Sequence, residues 1–398
     1  MATAKKRFAP FRDFFERESS SGILLLAAAV LGLLVANSPL SKRYFQLLDF
    51  SFSLRPIYID LELTTLKTIN YGLMTIFFFV VGLEIKRELT SGHLSKVRQA
   101  LTPFIAALGG MAIPALIYLL IAGNRAPEGW AVPVATDIAL AVGLLTLVGS
   151  QVSSALRAFL LALAVIDDIG AIVIIALVYS TGIIFSWSVA AGAAVIATVI
   201  LTRIGITRTF IYVIVGALLW FSLYKAGLHP TLAGVIMGLL TPAMPLDESQ
   251  GIDIEDGTLT LVEKLEGRFH TLSAFFIIPI FAFANSGVAL SSEALSTLFA
   301  SPIAWGIICG LTLGKPLGIF IAVRSAARLK LAQSPEGADT SSLIAVGSTA
   351  GIGFTVAIFI AKLAFSEPAQ QDLAVMAVIV GSLLSGVIGV ALFRLIRR

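Results

Sequence analysis

Charged side chains are scarce in this chain. Asp, Glu, Lys and Arg make up 13% of its 398 residues, against roughly 25% in a soluble globular domain. A soluble protein this poor in charge has no polar surface to present to water. Cysteine is nearly absent: the single Cys309 excludes an internal disulfide and any cysteine-rich metal site. Histidine is rare too, with His93, His229 and His270 alone. The formal net charge of +4 comes from flanking loops, so no nucleic-acid partner is expected.

Apolar residues fill the space that charge leaves. They are 57% of the chain, and the mean hydropathy is +0.94. Lipid leaves free backbone groups unsatisfied, so only helices or closed barrels span a membrane. Barrel strands alternate over about 10 residues, whereas the apolar runs here are continuous and about twenty long, the length of a spanning helix. The expected fold class is an all-α polytopic membrane protein that makes residues 1–398 one transport domain, with the lipid bilayer as its first partner. The basic, amphipathic start "MATAKKRFAPFRDFFERESSSG" lacks an A-x-A-like cleavage site, so an uncleaved first helix is expected.

Twelve membrane segments are read, at about 22–37, 64–86, 100–122, 128–149, 155–179, 186–203, 208–224, 228–241, 269–290, 302–324, 342–364 and 373–393. Several fall short of a full span or are interrupted by Gly and Pro. One set of flanks collects Lys5, Lys6, Arg7, Lys86, Arg87, Lys96, Arg98, Arg157, Arg203, Arg208, Lys264, Arg268, Arg324 and Arg328, while the other holds mainly Lys42, Arg43, Arg55, Arg125 and Lys225. The richer side is cytoplasmic, which puts both termini and the acidic loop 245–266 there. On the outer side "LDFSFSLRPIYIDLEL" alternates with period two around Arg55-Pro56, which reads as a small β-hairpin within 45–63 or as an ordered loop. A hairpin has free edges, and pairing with a second copy would make a homodimer. The stretches "VPVATDIALAVGLL" (132–145) and "GSTAGIGFTVAIFI" (347–360) echo one another, each with Thr and Gly or Pro in mid-span. Paired interrupted helices in two halves of a chain point to a transport site.

Four ionisable side chains lie deep in apolar runs: Asp137, Asp167, Asp168 and Lys315. A charge near mid-bilayer costs roughly 2.5–3.5 kcal/mol on insertion scales. One at a time, each reads as a structural ion pair. Together, three acids against one base leave excess negative charge in a dry place. A buried carboxylate without a partner takes a proton or finds a cation, and its oxygens suit a small hard cation. A site held by a proton or by a cation, never both, is a minimal exchanger. Adjacent helical positions point about 100° apart, so Asp167 and Asp168 face different places, and one of them can meet Lys315. Asp137 follows Thr136 at the suspected break, where it would balance helix N-termini while Lys315 balances C-termini. Three other readings compete. A sodium-coupled solute symporter needs polar side chains beyond the acids. An intramembrane aspartyl protease needs a G-x-G-D context that is missing and leaves Lys315 idle. A channel needs a filter or charge ring, and none is evident.

The motifs "VPVATDIALAVG", "LALAVIDDIGAI", "GKPLGI", "FAFANSGV", "FFFVVGLEIKREL" and "GIGFTVAIFIAKLAF" resemble the NhaA-type sodium/proton antiporters, in order from about Asn37 to Phe365. The resemblance implies about twelve helices with inverted repeats, two crossing discontinuous helices, and a homodimer through the outer hairpin. It implies electrogenic exchange of one Na⁺ (or Li⁺) for two H⁺ across a bacterial inner membrane, activated at alkaline pH and serving Na⁺ and pH homeostasis, without cofactor or enzymatic step. On this resemblance Asp168 is the principal cation ligand, and Asp167 shares the metal site or pairs with Lys315. Thr136 and Asp137 belong to the break in the fourth segment. Glu84, Glu88, Glu266 and His270 form the cytoplasmic group tied to pH response, with His229 nearer the outer side. Two positions depart from the family pattern: Tyr71 follows Asn70 where an aspartate is usual, and Gly267 stands where a histidine is common.

Overall fold

The computed structural model describes residues 18–396 apart from 55–60, 150–151, 181, 207, 244–259 and 336–337. The basic N-terminal stretch, the hairpin tip around Arg55 and most of the acidic loop 245–266 therefore lie outside the described residues. The rest is overwhelmingly helical, with one two-stranded sheet. Among the described residues nine helices are long and apolar enough to cross a bilayer, and the count reaches eleven when each of two bent pairs is taken as one span. Large apolar side chains point outward, such as Leu120 (76% exposed), Leu177 (78%) and Phe185 (81%). Water would not tolerate such a surface, and lipid tails match it. The chain is a multi-pass membrane protein.

The expected segment 228–241 differs most. Its helix runs only Leu232–Leu240, about 14 Å at 1.5 Å per residue, half of what a span needs. His229-Pro230 before it and Thr241-Pro242 after it hold it short, because proline's missing N–H disfavours a helix interior. The expected segment 269–290 begins earlier, since Thr260 and Glu263 form a reciprocal capping box that starts the helix at Leu261. Hydropathy misses this first turn because Glu263, Lys264, Glu266 and Arg268 crowd it.

Chain contacts divide the protein into two compact units. The first comprises residues 1–48, 97–171 and 282–398. It contains α1 (Glu18–Ala36) and α2 (Ser41–Asp49). A long α4 (Val97–Ala122) follows, then a 3₁₀ stretch Pro127–Val134 that leads to α5 (Ile138–Val148). Most of α6 (Ser154–Val178) belongs here. So do α11 (Ser292–Ala300), α12 (Pro302–Arg328), α13 (Thr340–Ala350), α14 (Phe354–Ala364) and α15 (Pro368–Ile396). α4 and α12 cross where Gly109 meets the carbonyl of Gly318 and Gly318 meets that of Gly109. No side chain fits between the two backbones there, as small-residue crossings in lipid require. One turn of α12, Gly310–Gly314, is π-helical and directly precedes Lys315.

The second unit comprises residues 49–96 and 172–281. Its sheet pairs β1 (Ser51–Leu54) with β2 (Leu61–Thr64), antiparallel, Phe52 opposite Leu63 and Leu54 opposite Leu61. The expected hairpin is present, but 45–49 belongs to α2. The alternation that reads as strand from Phe50 is helical before that residue. Phe50 and Phe52 are exposed and stack edge to face at 4.9 Å. α3 (Thr65–Thr90) follows, with a π-helical turn over Thr68–Leu73. α7 (Phe185–Arg203), α8 (Thr209–Ala226), α9 (Leu232–Leu240) and α10 (Leu261–Asn285) complete the unit as far as Phe281. Its core is Ala191, Ala194, Leu219, Leu223, Leu232 and Ala233.

Candidate functional site

Two interrupted helices meet in the first unit. The chain leaves the 3₁₀ stretch at Val134 and runs extended through Ala135 (φ −76°, ψ 153°) to Asp137 (φ −89°, ψ 102°), where α5 begins. α13 ends at Ala350, and α14 starts at Phe354 after a bend of 53°. Gly351 and Gly353 flank Ile352 in that gap. The Asp137 N–H donates to the Ile352 carbonyl at 2.6 Å, and the Thr136 hydroxyl lies 2.9 Å from the Ala350 carbonyl. Each break thus satisfies backbone groups that the other exposes.

Asp137 is 2% exposed and caps two helices at once. Its Oδ1 accepts from the Leu140 N–H of α5 at 3.0 Å. Its Oδ2 accepts from the Thr355 N–H of α14 at 3.0 Å and from the Thr355 hydroxyl at 2.5 Å. One negative charge therefore balances the positive ends of both half-helices. Ser382 of α15 completes the α14 cap by accepting from the Phe354 N–H at 3.1 Å. Thr355 and Ser382 are functional neighbours that the sequence reading passed over. A threonine two residues after a glycine-flanked break was the available signal for the first. Ser382 gave none, being one serine in a long apolar helix.

Beside the breaks sits a buried ion pair. Lys315 Nζ lies 2.5 Å from Asp167 Oδ2, both side chains wholly buried. Lys315 also donates to the Thr136 hydroxyl at 3.0 Å. That hydroxyl in turn stands 2.8 Å from Asp167 Oδ2. A hydroxyl carries one proton. It can serve the Asp167 carboxylate or the Ala350 carbonyl, not both together. The other Asp167 oxygen, Oδ1, has no hydrogen-bond partner among the described residues. Asp168, the next residue on α6, is 5% exposed. The adjacency argument thus resolves in favour of Asp167 as the residue that meets Lys315. Asp137, Thr136, Asp167 and Lys315 come together in this unit, next to Asp168.

The residues expected to answer pH gather elsewhere and only partly. In the second unit Arg87 Nη1 lies 2.5 Å from Glu266 Oε1, and its Nη2 lies 3.4 Å from Glu88 Oε1. Arg87 figured in the sequence reading only as a flanking charge, yet it joins the two acids. Glu84 is half-buried one turn before Glu88 on α3, and His270 is exposed. His229 is 7% exposed, with its Nδ1 2.6 Å from the Thr231 hydroxyl. Its ring meets Tyr71 edge to face at 5.1 Å, so Tyr71, where the resemblance implied an aspartate, is an aromatic neighbour of His229. The Tyr71 carbonyl, within the π-helical turn, accepts from the Trp220 indole at 3.0 Å and from the Thr75 hydroxyl.

The sequence profile of the family described as Na⁺/H⁺ antiporter 1 matches residues 12–393. The chain belongs to that family. It is similar to the Na(+)/H(+) antiporter NhaA of Shewanella sp. (strain MR-4), 46% identical over 382 residues that cover 95% of each chain. It is 45% identical to the protein of the same name from Escherichia coli O1:K1 / APEC, over 386 residues covering 96% of this chain and 97% of that one. Membership in an antiporter family makes this a transporter and not an enzyme, so the protease and channel readings fall away. The two helix breaks, the two aspartates on α6 and the lysine on α12 all lie within the matched range.

Proposed function

We propose that the chain exchanges cytoplasmic Na⁺ (or Li⁺) for external H⁺ by alternating access. The supporting observation is the fully buried Lys315–Asp167 pair at 2.5 Å, with a second aspartate beside it and an Asp167 oxygen left without a partner among the described residues. Two adjacent buried carboxylates, with one ammonium that pairs with Asp167, cannot both stay ionised and empty in so dry a place. In this scheme Asp168 is the principal ligand of the cation, with Asp167 and backbone or hydroxyl oxygens of the breaks in support.

The cycle follows from that charge count. With the cytoplasmic side alkaline, the acids are ionised and a cation binds. Loading offsets the excess negative charge, whereas an empty, ionised site passes through the apolar core only at high cost, so occupancy gates the rocking of one bundle against the other. Outside, protons displace the cation and the protonated site returns. Thr136 registers the change. When Asp167 is engaged by a cation or a proton, the hydroxyl turns to the Ala350 carbonyl at the end of α13, which links the charge state to the break. Exchange of two protons per Na⁺ moves one net charge, worth ~2.3 kcal/mol per 100 mV, with the second proton carried by Asp167 or by Lys315.

The wider reading has twelve spans, counting short α9 and each bent pair, arranged as inverted repeats within one transport domain. It puts both termini and the loop 245–266 in the cytoplasm of a bacterial cell, with the protein in the inner membrane. Two copies pair through the β1–β2 hairpin, whose exposed Phe50 and Phe52 favour such a contact. Glu84, Glu88, Glu266, His270 and His229 tune activity toward alkaline pH. The test is proteoliposomes under a pH gradient, challenged with Na⁺, Li⁺ and K⁺ while lumen pH and membrane potential are read. Na⁺- and Li⁺-driven proton movement with a potential change is expected, lost in Asp168→Ala and Asp167→Ala. Full proton movement in either variant would sink the scheme. Lys315→Gln separates the two proton routes: exchange that no longer responds to the potential makes Lys315 the second carrier.

A further inference from the structure

A cavity of about 560 Å³ opens in the side of the first unit, apart from the charged site. α1 forms one wall through Gly22, Leu26 and Val30, and α15 the other through Ile379, Leu383 and Val387. α5 makes its floor. Its lining is almost wholly apolar, with two exceptions: Ser382, whose hydroxyl accepts from the Phe354 N–H, and Arg394 at the end of the α15 wall. Arg394 is exposed, and no carboxylate pairs with it among the described residues.

Length and charge select the occupant. From Ile379 to Arg394 the wall runs about 22 Å at 1.5 Å per residue. One leaflet has about 15 Å of hydrocarbon and about 5–7 Å of headgroup. The groove therefore matches one leaflet, and Arg394, the one cation among its described lining residues, lies at headgroup depth. Volume fits as well, because about 300–1,000 Å³ is the range of small-molecule pockets. We propose that this groove seats one acyl chain of an anionic phospholipid whose phosphate meets Arg394.

The inner end of the groove gives the lipid a role. Leu140, Ile352 and Phe354 line it. Their backbones are those that bond Asp137 and Ser382: the Leu140 N–H caps on Asp137, the Ile352 carbonyl takes the Asp137 N–H, and the Phe354 N–H reaches Ser382. A seated chain packs against the outside of both helix breaks and holds them together, so the lipid is a structural ligand of the break region.

The experiment reads binding and stability, not transport, so it is independent of the exchange mechanism. Purified protein in detergent is offered phosphatidylglycerol or phosphatidylcholine, and retained lipid is counted by native mass spectrometry alongside the thermal unfolding midpoint. Preference for phosphatidylglycerol by about five-fold is expected, the weight of one basic residue at a lipid surface, together with a higher midpoint. Arg394→Gln should bring the preference to near unity, and Val387→Trp should remove retention of both lipids. Val387 is 60% exposed, so the larger ring fills the groove without disturbing the fold. Equal retention of the two lipids in the wild type overturns the proposal, as does a preference that survives both variants. A dimer that Val387→Trp dissociates would make a second copy the occupant. Greater retention after removal of residues 1–17 would make the N-terminal segment the occupant. Either result also overturns the proposal.

Discussion

Two ion pairs in this protein have the same separation and different surroundings. Lys315 and Asp167 stand 2.5 Å apart with both side chains wholly buried. Arg87 and Glu266 stand 2.5 Å apart as well, and although Glu266 is buried, with 9% of its side chain exposed, the Arg87 side chain is 39% exposed. In the dry pair each charge depends on the other, because lipid and packed helices supply no water in its place. In the wet pair water reaches the guanidinium of Arg87 and screens its charge. Equal geometry therefore conceals unequal energies. A dry pair is a device whose occupancy can drive a conformational step, while a wet pair can only tune one.

The largest effect should come from breaking the dry pair on one side. Lys315→Ala leaves Asp167 buried without its cation, which costs about 3–5 kcal/mol in comparable cases. Thermal unfolding in detergent micelles at alkaline pH should show that loss. The neutral double variant Asp167→Asn/Lys315→Gln should recover most of it and still fail to exchange. If the single variant is as stable as the wild type, the pair is not dry in the sense argued here.

Asp137 is a dry residue of another kind, a cap rather than an ion-pair partner. Asp137→Ala strips acceptors from the Leu140 and Thr355 N–H groups together. The Thr355 hydroxyl loses its acceptor too, but the two N–H groups cannot turn elsewhere, and they alone cost about 2–3 kcal/mol, at roughly 1–1.5 kcal/mol each. Asp137→Asn keeps an acceptor oxygen for one helix only, so it should fall between alanine and the wild type. A ranking in which Asn is no better than Ala would mean that charge, not hydrogen bonding, carries the effect.

The dry region was also the more legible in the sequence. Asp137, Asp167, Asp168 and Lys315 stand out because charge in an apolar run has no ordinary reason to be there. The same contrast revealed the interrupted helices, since Gly and Thr in mid-span break a regular pattern. The wet cluster was harder. Arg87 lies among "EIKREL", where charge is ordinary, and nothing in that string selects it over Lys86 as the partner of Glu266. The short α9 was read over 228–241 rather than Leu232–Leu240 because hydropathy measures apolarity and not the length that Pro230 and Pro242 permit. The early start of α10 was missed for the opposite reason: its first turns are polar, and only the Thr260–Glu263 capping box marks them.

A wet cap provides the control for Asp137. Asp339 begins α13 and accepts from the Ser342 N–H at 2.8 Å, but it is exposed. Asp339→Ala should cost about 0.5–1 kcal/mol, the usual worth of an exposed N-cap. Its hydrogen bonds to Ser342 hold the carboxyl below its ordinary pKa. A carboxyl with a folded-state pKa depressed in this way contributes stability above its unfolded value, near 4, and loses it as pH falls further. The gap between wild type and Asp339→Ala at neutral pH should therefore close below about pH 4, measured by thermal unfolding across pH. A gap that widens on acidification would mean the carboxyl does not act as the cap.

The smallest effect on stability should come from Arg87→Gln. Water reaches this pair through Arg87; pairs open to solvent contribute about 0.2–1 kcal/mol, and at about 1 M salt the screening length falls to ~3 Å, so even that difference should shrink on adding salt. The same variant should move the pH profile of Na⁺-driven proton flux in proteoliposomes, because Glu266 and Glu88 lose the cation between them. The combination separates tuning from structure. A variant that alters the pH profile while its unfolding midpoint barely shifts belongs to the wet class. A loss of several kcal/mol that salt does not reduce would put Arg87 with Lys315, and the contrast between the two pairs would collapse.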